Sequence, residues 1–235
     1  DKDFTKTELS RFKNSVKPTL TIFTSTFWEF FTFDVFDKSQ NLLTDMYSFI
    51  KSILNDNDLQ SHYNIIVRWH PNLINAGKFE NLTVNQIIKE CDEATHFAPN
   101  SKINSYELLN ASDKVIVFGS TIGLEGIAIG KQVFLLGRSS YENITGLPKP
   151  NNIIELKKML LDHFEYSINQ IESLLILGWM AKFGVPYKNV AFQNKHYLVM
   201  GKRIQKKYTA NNLKNYLLWK IRKFLKKAEP ISSSI

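Results

Sequence analysis

Residues 114–126 read KVIVFGSTIGLEG, and this stretch says most about the fold. An apolar run rich in β-branched residues is followed by a Gly-Ser-Thr turn and then by a segment of helical character. This order predicts a buried strand, a short turn and a helix. Such a turn gathers backbone N–H groups and hydroxyls at a helix N-terminus, where a phosphate can be held. The stretch therefore predicts a site for an anionic ligand.

A second apolar strand lies upstream of this stretch. Residues 65–67 (Ile-Ile-Val) lead directly into Arg68-Trp69-His70-Pro71-Asn72, a segment rich in groups that suit an anion. Because parallel strands of one sheet end at the same edge, we expect the two segments to lie close together. Together they predict a nucleotide or nucleotide-sugar site at the carboxyl edge of the sheet.

Strands and helices alternate along most of the chain. The patterns predict strands at 19–24, 65–68, 95–98, 115–118 and 133–137, and helices at about 40–54, 84–91, 105–109 and 122–129. From about residue 152 the pattern is helical through Phe183 and beyond, and Ser105 is the predicted N-cap of its helix. Strands that are apolar throughout indicate an α/β fold, with a Rossmann-like parallel sheet covered by helices on both faces.

The net charge of +8 is concentrated near the C-terminus. Residues 202–227 contain ten basic and no acidic residues, whereas the remaining 20 basic and 22 acidic residues nearly cancel. From Leu213 onward, apolar residues recur at helical spacing, which predicts a basic amphipathic helix suited to an anionic membrane surface. A helix packed on another domain is the main alternative. Nucleic-acid binding is not predicted, because the body is near neutral and carries no recognition motif.

Several classes of site are disfavoured by the composition. Cys91 is the single cysteine, which excludes a disulfide framework and a cysteine-based metal site. No apolar run approaches the roughly 18–20 residues of a membrane span. Asp56-Asn57-Asp58 is interpreted as a turn that ends a helix, and the histidines show no metal-ligand spacing. The sequence has no Walker A loop and no GxGxxG. No metal and no cofactor is predicted.

An ordered set of short motifs resembles a known family. The chain resembles bacterial capsular polysaccharide biosynthesis proteins, which include the Kdo transferases of capsule assembly. It is also similar to the bacterial sialyl- and polysialyltransferases with an HP motif and a Ser-Ser/Thr motif. The resemblance covers roughly residues 19–192 and is carried by Arg68-x-His70-Pro71-Asn72, Ser105-Tyr106-x-Leu108-Leu109, Gly119-Ser120-Thr121-Ile122-Gly123-Leu124-Glu125, Gly130-Lys131-x-Val133, Gly137-Arg138 and Gly184-Val185-Pro186.

The resemblance implies a domain organisation. The family has a GT-B fold, with two Rossmann-like domains and the active site in the cleft between them, and this chain matches the C-terminal, donor-binding half. We expect residues 1–18 to be a lead-in from a missing N-terminal domain, 19–200 to be the nucleotide-sugar-binding domain, and 201–235 to be the basic amphipathic tail.

The resemblance also implies roles for individual residues. The HP histidine, His70, contacts the donor phosphate and acts as general acid toward the leaving nucleotide, and Ser120 and Thr121 match the Ser-Ser/Thr pair that holds the phosphate. The remaining residues expected to bind the nucleotide sugar are Ser25, Arg68, Pro71, Asn72, Ser105, Gly119, Gly123 and Glu125. The alternatives are a His70 packed beside Trp69, a Ser120 that merely caps a helix, and an Arg68 in a structural ion pair.

The function implied is sugar transfer without a metal ion. The expected enzyme is a glycosyltransferase that moves a sugar from CMP-Kdo or another CMP-sugar to a capsular or other surface polysaccharide. Its expected partners are the donor, a glycan or glycolipid acceptor, the missing domain with the general base, and an anionic membrane contacted through 202–227. This places it in the bacterial cytoplasm, peripheral on the inner face of the inner membrane. The alternatives are a GT-B-fold nucleotide-sugar epimerase and a non-catalytic, membrane-docked module of a capsule assembly complex.

Overall fold

A computed structural model of the 235-residue chain describes residues 9–12, 15–26, 46–162 and 165–183. Backbone strands are also described at 190–193, 196–199 and 202–203. The chain divides into two compact units, Asp1–Lys182 and Phe183–Ile235. The predicted amphipathic helix and the Gly184-Val185-Pro186 motif lie outside the described residues, so both stay predictions.

The first unit is built on a five-stranded parallel sheet, as the apolar runs predict. Its strands have the spatial order β3-β2-β1-β4-β5. In chain order they are β1 (Thr19–Phe23), β2 (Asn64–Arg68), β3 (Thr95–Phe97), β4 (Lys114–Val117) and β5 (Gln132–Leu135). The strand order reverses between β1 and β4, the position at which open α/β sheets leave a crevice for ligands at their carboxyl edge.

Helices connect the strands and cover the sheet. They are α1 (Met46–Leu54), α2 (Asn57–His62), a 3-10 helix (Pro71–Asn75), α3 (Lys78–Glu90), α4 (Ser105–Ala111), α5 (Thr121–Ala128), α6 (Ile153–Leu161) and α7 (Gln170–Phe183). Among the described residues, none of these helices is long and apolar enough to span a bilayer.

Two hydrophobic clusters occupy the two faces of the sheet, because alternate residues of a strand point to opposite faces. Leu20 and Ile22 of β1 belong to the cluster that includes residues of α1, α2, α3 and α6. Phe23 of the same strand belongs to the cluster that includes residues of α4 and α5. The predicted fold class, a Rossmann-like parallel sheet with helices on both faces, is confirmed.

Two local predictions are wrong. Asn104, not Ser105, caps α4, because its side chain accepts a hydrogen bond from the Tyr106 backbone N–H at 2.8 Å. Asn and Ser are about equally good N-caps, so the neighbouring residue that fits the geometry takes the position. The helical pattern also does not continue through residues 190–203. This segment forms an antiparallel sheet of β6 (Val190–Gln193), β7 (His196–Val199) and β8 (Lys202–Arg203).

Candidate functional site

The carboxyl ends of the central strands lie level with one another. Phe23 of β1 pairs with Arg68 of β2 on one side and with Val117 of β4 on the other, and Val117 in turn pairs with Leu135 of β5. The segments that follow these strands therefore leave the sheet at one edge. The predicted site residues lie at the last position of β2 (Arg68), on the segments that follow the strands, at the first position of α4 (Ser105) or in the first two turns of α5. The structure therefore brings them to one region.

The turn between β4 and α5 needs a glycine at its start. Gly119 has a φ of +87°, and a Cβ atom there would lie 2.7 Å from the backbone oxygen of Arg138. Both the left-handed backbone and the close approach exclude a side chain. The glycine thus lets the chain turn sharply from the strand into the helix, against the loop that follows β5.

Ser120 occupies the N-cap position of α5, but its hydroxyl makes no capping hydrogen bond. An N-cap serine usually accepts a hydrogen bond from one of the first backbone N–H groups of its helix. Here the Ser120 carbonyl accepts from the Gly123 N–H at 3.1 Å, and Thr121, the first residue of the helix, is exposed. The start of α5 therefore presents N–H groups and two hydroxyls that the capping alternative does not account for.

Tyr141, which no motif in the sequence indicates, holds the turn between β4 and α5 in place. Its side chain is almost fully buried, and its hydroxyl donates a 2.6 Å hydrogen bond to the Ser120 backbone oxygen. Burial raises the pKa of the phenol well above its usual range, so the hydroxyl stays a donor. Nothing in the local sequence signals this contact, because 21 residues separate the two partners.

The Tyr141 hydroxyl also explains why position 123 is glycine. A Cβ atom on Gly123 would lie 2.5 Å from that hydroxyl and 2.8 Å from a methyl group of Val117. We expect Gly123→Ala to lower the free energy of unfolding by about 1–3 kcal/mol through overpacking. Because the hydroxyl is the nearer obstacle, Gly123→Ala combined with Tyr141→Phe should cost less than the sum of the two single changes. Chemical denaturation of the four proteins measures this, and additive costs would contradict the contact.

His70 follows β2 and is anchored at three points. Its backbone N–H donates to the Thr24 hydroxyl at 2.9 Å, which ties it to the end of β1, and its backbone oxygen accepts from the Leu73 N–H at 3.0 Å. Its Nδ1 accepts from the Asn72 backbone N–H at 3.2 Å and thereby caps the 3-10 helix that begins at Pro71. The backbone and the ring of His70 are therefore both held in place.

A tryptophan and a histidine stack on each other just after the end of β2. Trp69 is fully buried, and the histidine stacked on it is His96, with ring centroids 6.1 Å apart and an interplanar angle of 15°. His70 itself is partly exposed, and Pro71 and Asn72 beside it are exposed. The alternative placed His70 beside Trp69, but the histidine that stacks on Trp69 is His96.

Arg68 is buried at the same edge and donates to backbone carbonyls. One terminal nitrogen donates to Trp69 at 2.9 Å and to Ala98 at 2.7 Å, and the other donates to Ser101 at 3.4 Å. Its Nε has no partner, and no carboxylate among the described residues forms an ion pair with it. Burial lowers the pKa of the guanidinium, but from a value so high that the group remains a cation at neutral pH. It therefore ties the β3–α4 connection to β2 and leaves a buried positive charge at the site.

Glu125 of α5 is in contact with the start of α4. The Tyr106 hydroxyl hydrogen-bonds to the Glu125 carboxylate, and this raises the pKa of the tyrosine. Glu125 is partly exposed, and the contact brings α4, with Ser105 at its first position, next to the second turn of α5. On the β1 side, Ser25 is 5% exposed at the end of the strand, and the chain from residue 27 to 45 lies outside the described part.

Two other polar features have structural explanations. Asp56 accepts from the backbone N–H groups of Asp58 and Leu59 to cap α2, and both aspartates pair with Lys157 at 2.9 and 2.7 Å. The predicted helix-ending turn is thus confirmed, since α1 ends at Leu54. Across the parts of the chain described above, no three His, Cys, Asp or Glu side chains are grouped so as to hold a metal ion.

A cleft of about 350 Å³ lies at the opposite edge of the sheet. Residues at the beginnings of β2 and β3 and residues just before β1 line it, with Arg11, Lys17 and Glu93 as its charged groups. None of the predicted site residues contributes to this cleft.

Comparison with known protein families decides the family of this chain. The family model described as capsule polysaccharide biosynthesis protein matches residues 39–170, more than half of the sequence. The chain belongs to this family. The matched range contains His70, the Gly-Ser-Thr turn and Tyr141, and the resemblance drawn from the short motifs is confirmed. A search of curated proteins gave no match.

Solved structures give three weaker likenesses. The chain is similar to the KpsC β-Kdo 2,7 transferase of Thermosulfurimonas dismutans (18% identity, TM-score 0.40), covering 92% of this chain and 61% of that one. It is similar to the β-Kdo 2,4 transferase of the same organism (17%, 0.40), covering 73% and 53%. It is similar to the wall teichoic acid polymerase TagF (16%, 0.34), covering 61% and 30%. TM-scores of this size do not establish a shared fold, and the chain spans less than two thirds of the length of each.

Proposed function

We propose that this chain is the donor-binding part of a glycosyltransferase that builds a capsular or other surface polysaccharide. The observation that carries the proposal is the start of α5, where a glycine turn presents backbone N–H groups and the hydroxyls of Ser120 and Thr121 without using the Ser120 hydroxyl as a cap. These groups suit the phosphate of a nucleotide-activated sugar. Membership of the capsule biosynthesis family supports this substrate class.

The electrostatics of the edge support an anionic ligand. The buried Arg68 guanidinium has no carboxylate partner among the described residues, whereas the nearby Arg138 is neutralised by a two-point contact with Glu142 at 2.7 Å. A buried charge is felt more strongly than a solvated one, because less water screens it. Arg68 therefore favours an anion at the site through its field, while its hydrogen bonds hold the backbone. We also propose that Arg68 contacts the donor directly.

His70 is the group proposed to contact the leaving phosphate. It follows β2, and the Gly-Ser-Thr turn follows β4, and in the sheet only β1 lies between these two strands. Neighbouring strands are about 4.8 Å apart, so the two segments are about 10 Å apart and their side chains can approach one phosphate from opposite sides. The proposed binding region is completed by the other residues expected to bind the nucleotide sugar, which are Ser25, Pro71, Asn72, Ser105, Gly119, Gly123 and Glu125.

The finer assignments are part of the same proposal. We propose a CMP-sugar such as CMP-Kdo as the donor and a glycan or glycolipid as the acceptor. The phosphate charge is met by N–H groups, hydroxyls and His70, without a metal ion. The chain forms one half of a GT-B fold, the other domain supplies the general base, and the assembled enzyme works at the inner face of the bacterial inner membrane.

A thermal-shift comparison of CMP, CDP, UDP and GDP tests the proposed donor class. We expect a cytidine nucleotide to raise the melting temperature most, since only a ligand that binds the folded state stabilises it. Stabilisation by no nucleotide would contradict the proposal and favour a non-catalytic module. Stabilisation by UDP alone, together with interconversion of a UDP-sugar in the absence of acceptor, would favour an epimerase.

The basic segment 202–227 is proposed to dock the protein on an anionic membrane. Each basic residue near such a surface contributes on the order of 1 kcal/mol, and salt weakens the attraction. We expect the protein to float with vesicles that contain anionic lipid, not with neutral vesicles, and to dissociate as salt rises. Truncation after residue 203, which retains β8, should abolish flotation and leave nucleotide binding intact. Equal flotation of the truncated protein would show that another surface binds the lipid.

A further inference from the structure

The hydrogen bond between His70 and the backbone of Asn72 determines which ring nitrogen of the histidine carries a proton. The Asn72 N–H can only donate, so Nδ1 at 3.2 Å must accept and is unprotonated. The proton of the neutral ring then lies on Nε2. Protonation of Nδ1 would set two N–H groups against each other and remove the cap of the 3-10 helix.

Two backbone hydrogen bonds of His70 oppose any movement that would separate Nδ1 from the Asn72 N–H. Its N–H is bound to the Thr24 hydroxyl and its carbonyl to the Leu73 N–H, so the backbone is fixed on both sides of the ring. Pro71 follows directly, with its φ restrained by the ring, and begins the 3-10 helix whose second residue supplies the capping N–H. The His-Pro-Asn segment thus orients the imidazole with Nδ1 toward the Asn72 backbone N–H.

We propose that His70 acts on the donor as a neutral hydrogen-bond donor through Nε2–H, and not as the general acid that the family resemblance implies. This inference rests on the proposed function. In the reaction, the bond between the anomeric carbon and the phosphate oxygen breaks, and its electron pair goes to that oxygen. The acceptor hydroxyl forms the new bond, and its proton goes to the general base of the other domain. His70 stabilises the charge that develops on the departing phosphate.

The chemistry of the leaving group agrees with this role. A phosphate monoester loses its second proton at about pH 6, so it can depart as a dianion near neutral pH without receiving a proton. What it needs is a fixed donor aimed at the oxygen on which charge builds up, and removing such a donor typically costs about 10²–10³ in kcat. A histidine fixed as the Nε2–H tautomer provides that donor.

Two substitutions separate the roles of the ring nitrogens. The amide of His70→Gln lies near the position of Nε2 and can donate a hydrogen bond, but it cannot deliver a proton. The amide of His70→Asn lies near the position of Nδ1, so it keeps the acceptor for the Asn72 N–H and loses the distal donor. We expect kcat to fall about tenfold in His70→Gln and about a hundredfold or more in His70→Asn. Equal, large losses in both would indicate proton transfer and overturn the proposal.

The tautomer is tested independently of turnover by NMR of the protein labelled with ¹⁵N-histidine. His96 is an internal reference, because the Trp69 indole N–H donates to its Nδ1 at 3.2 Å and its Nε2 lies 2.8 Å from the Cys91 carbonyl. These contacts make the Nε2–H tautomer of His96 the favoured one. The resonances that disappear in His70→Gln belong to His70. At neutral pH we expect them to resemble those of His96, as a ring protonated at Nε2 only. A charged ring or an Nδ1–H tautomer would overturn the proposal. Failure of the protein to bind any nucleotide, with the Nε2–H pattern intact, would instead contradict the proposed function.

Discussion

Replacing His70 with alanine is expected to lower kcat by about two to four orders of magnitude in a preparation that transfers sugar. A loss of about two to three orders is the usual result of removing a hydrogen-bond donor from a developing charge, and the upper end of the range is reached when a proton donor is removed. Folding should change much less. The substitution removes one capping acceptor, which is worth about 0.5–2 kcal/mol, and the Thr24 and Leu73 contacts are made by the backbone and remain. Steady-state kinetics and thermal unfolding measure the two effects.

His62→Ala is the matched control for this experiment. His62 is an exposed histidine at the end of α2, and its ring nitrogen lies 2.8 Å from the Asp58 carbonyl of the same helix. It should leave kcat unchanged. If His70→Ala instead lowered the melting temperature strongly while the remaining folded enzyme kept its kcat, His70 would be a structural residue.

Replacing Ser120 and Thr121 together with alanine is expected to weaken nucleotide binding by tenfold or more. Each hydroxyl is proposed to make one hydrogen bond to a charged phosphate, and such bonds contribute about 1.5–3 kcal/mol each. Stability should be little affected, because Ser120 makes no capping hydrogen bond and Thr121 is exposed. Titration calorimetry with the nucleotide selected by the thermal-shift comparison gives the affinity of each protein.

The control for the hydroxyl pair is Ser52→Ala, which removes an exposed hydroxyl on α1 that donates to the Ser48 carbonyl at 2.9 Å. It should bind nucleotide like the unmodified protein. Unchanged affinity in the double alanine protein would show that these two hydroxyls do not contact the phosphate, and the site would then rest on backbone N–H groups alone.

The sheet could be predicted from the sequence because its physical cause is local. Strands buried on both faces must be apolar throughout, and runs such as residues 114–117 leave little choice of secondary structure. The position of the proposed site was predicted from the same pattern, since the residues after parallel strands meet at one edge. The glycine at position 119 was informative for a similar reason, because few residues other than glycine readily adopt its backbone conformation.

What the sequence could not supply depends on contacts between distant residues. The hydrogen bond from Tyr141 to the Ser120 carbonyl joins two loops, and no spacing rule links them. The hydrogen bonds of Arg68 run to backbone carbonyls, which every residue has, so residue types could not distinguish a structural arginine from a binding one. The strands between 190 and 203 have only two to four residues each, which is too short for the alternation of apolar and polar residues to predict them.

A crystal structure with a bound cytidine nucleotide would show whether the start of α5 holds the phosphate of the donor. We expect phosphate density at the start of α5, within about 2.7–3.2 Å of backbone N–H groups and the hydroxyls of Ser120 and Thr121, with the His70 ring on its other side. Phosphate density at the opposite edge of the sheet instead, in the cleft beside Arg11 and Lys17, would contradict it.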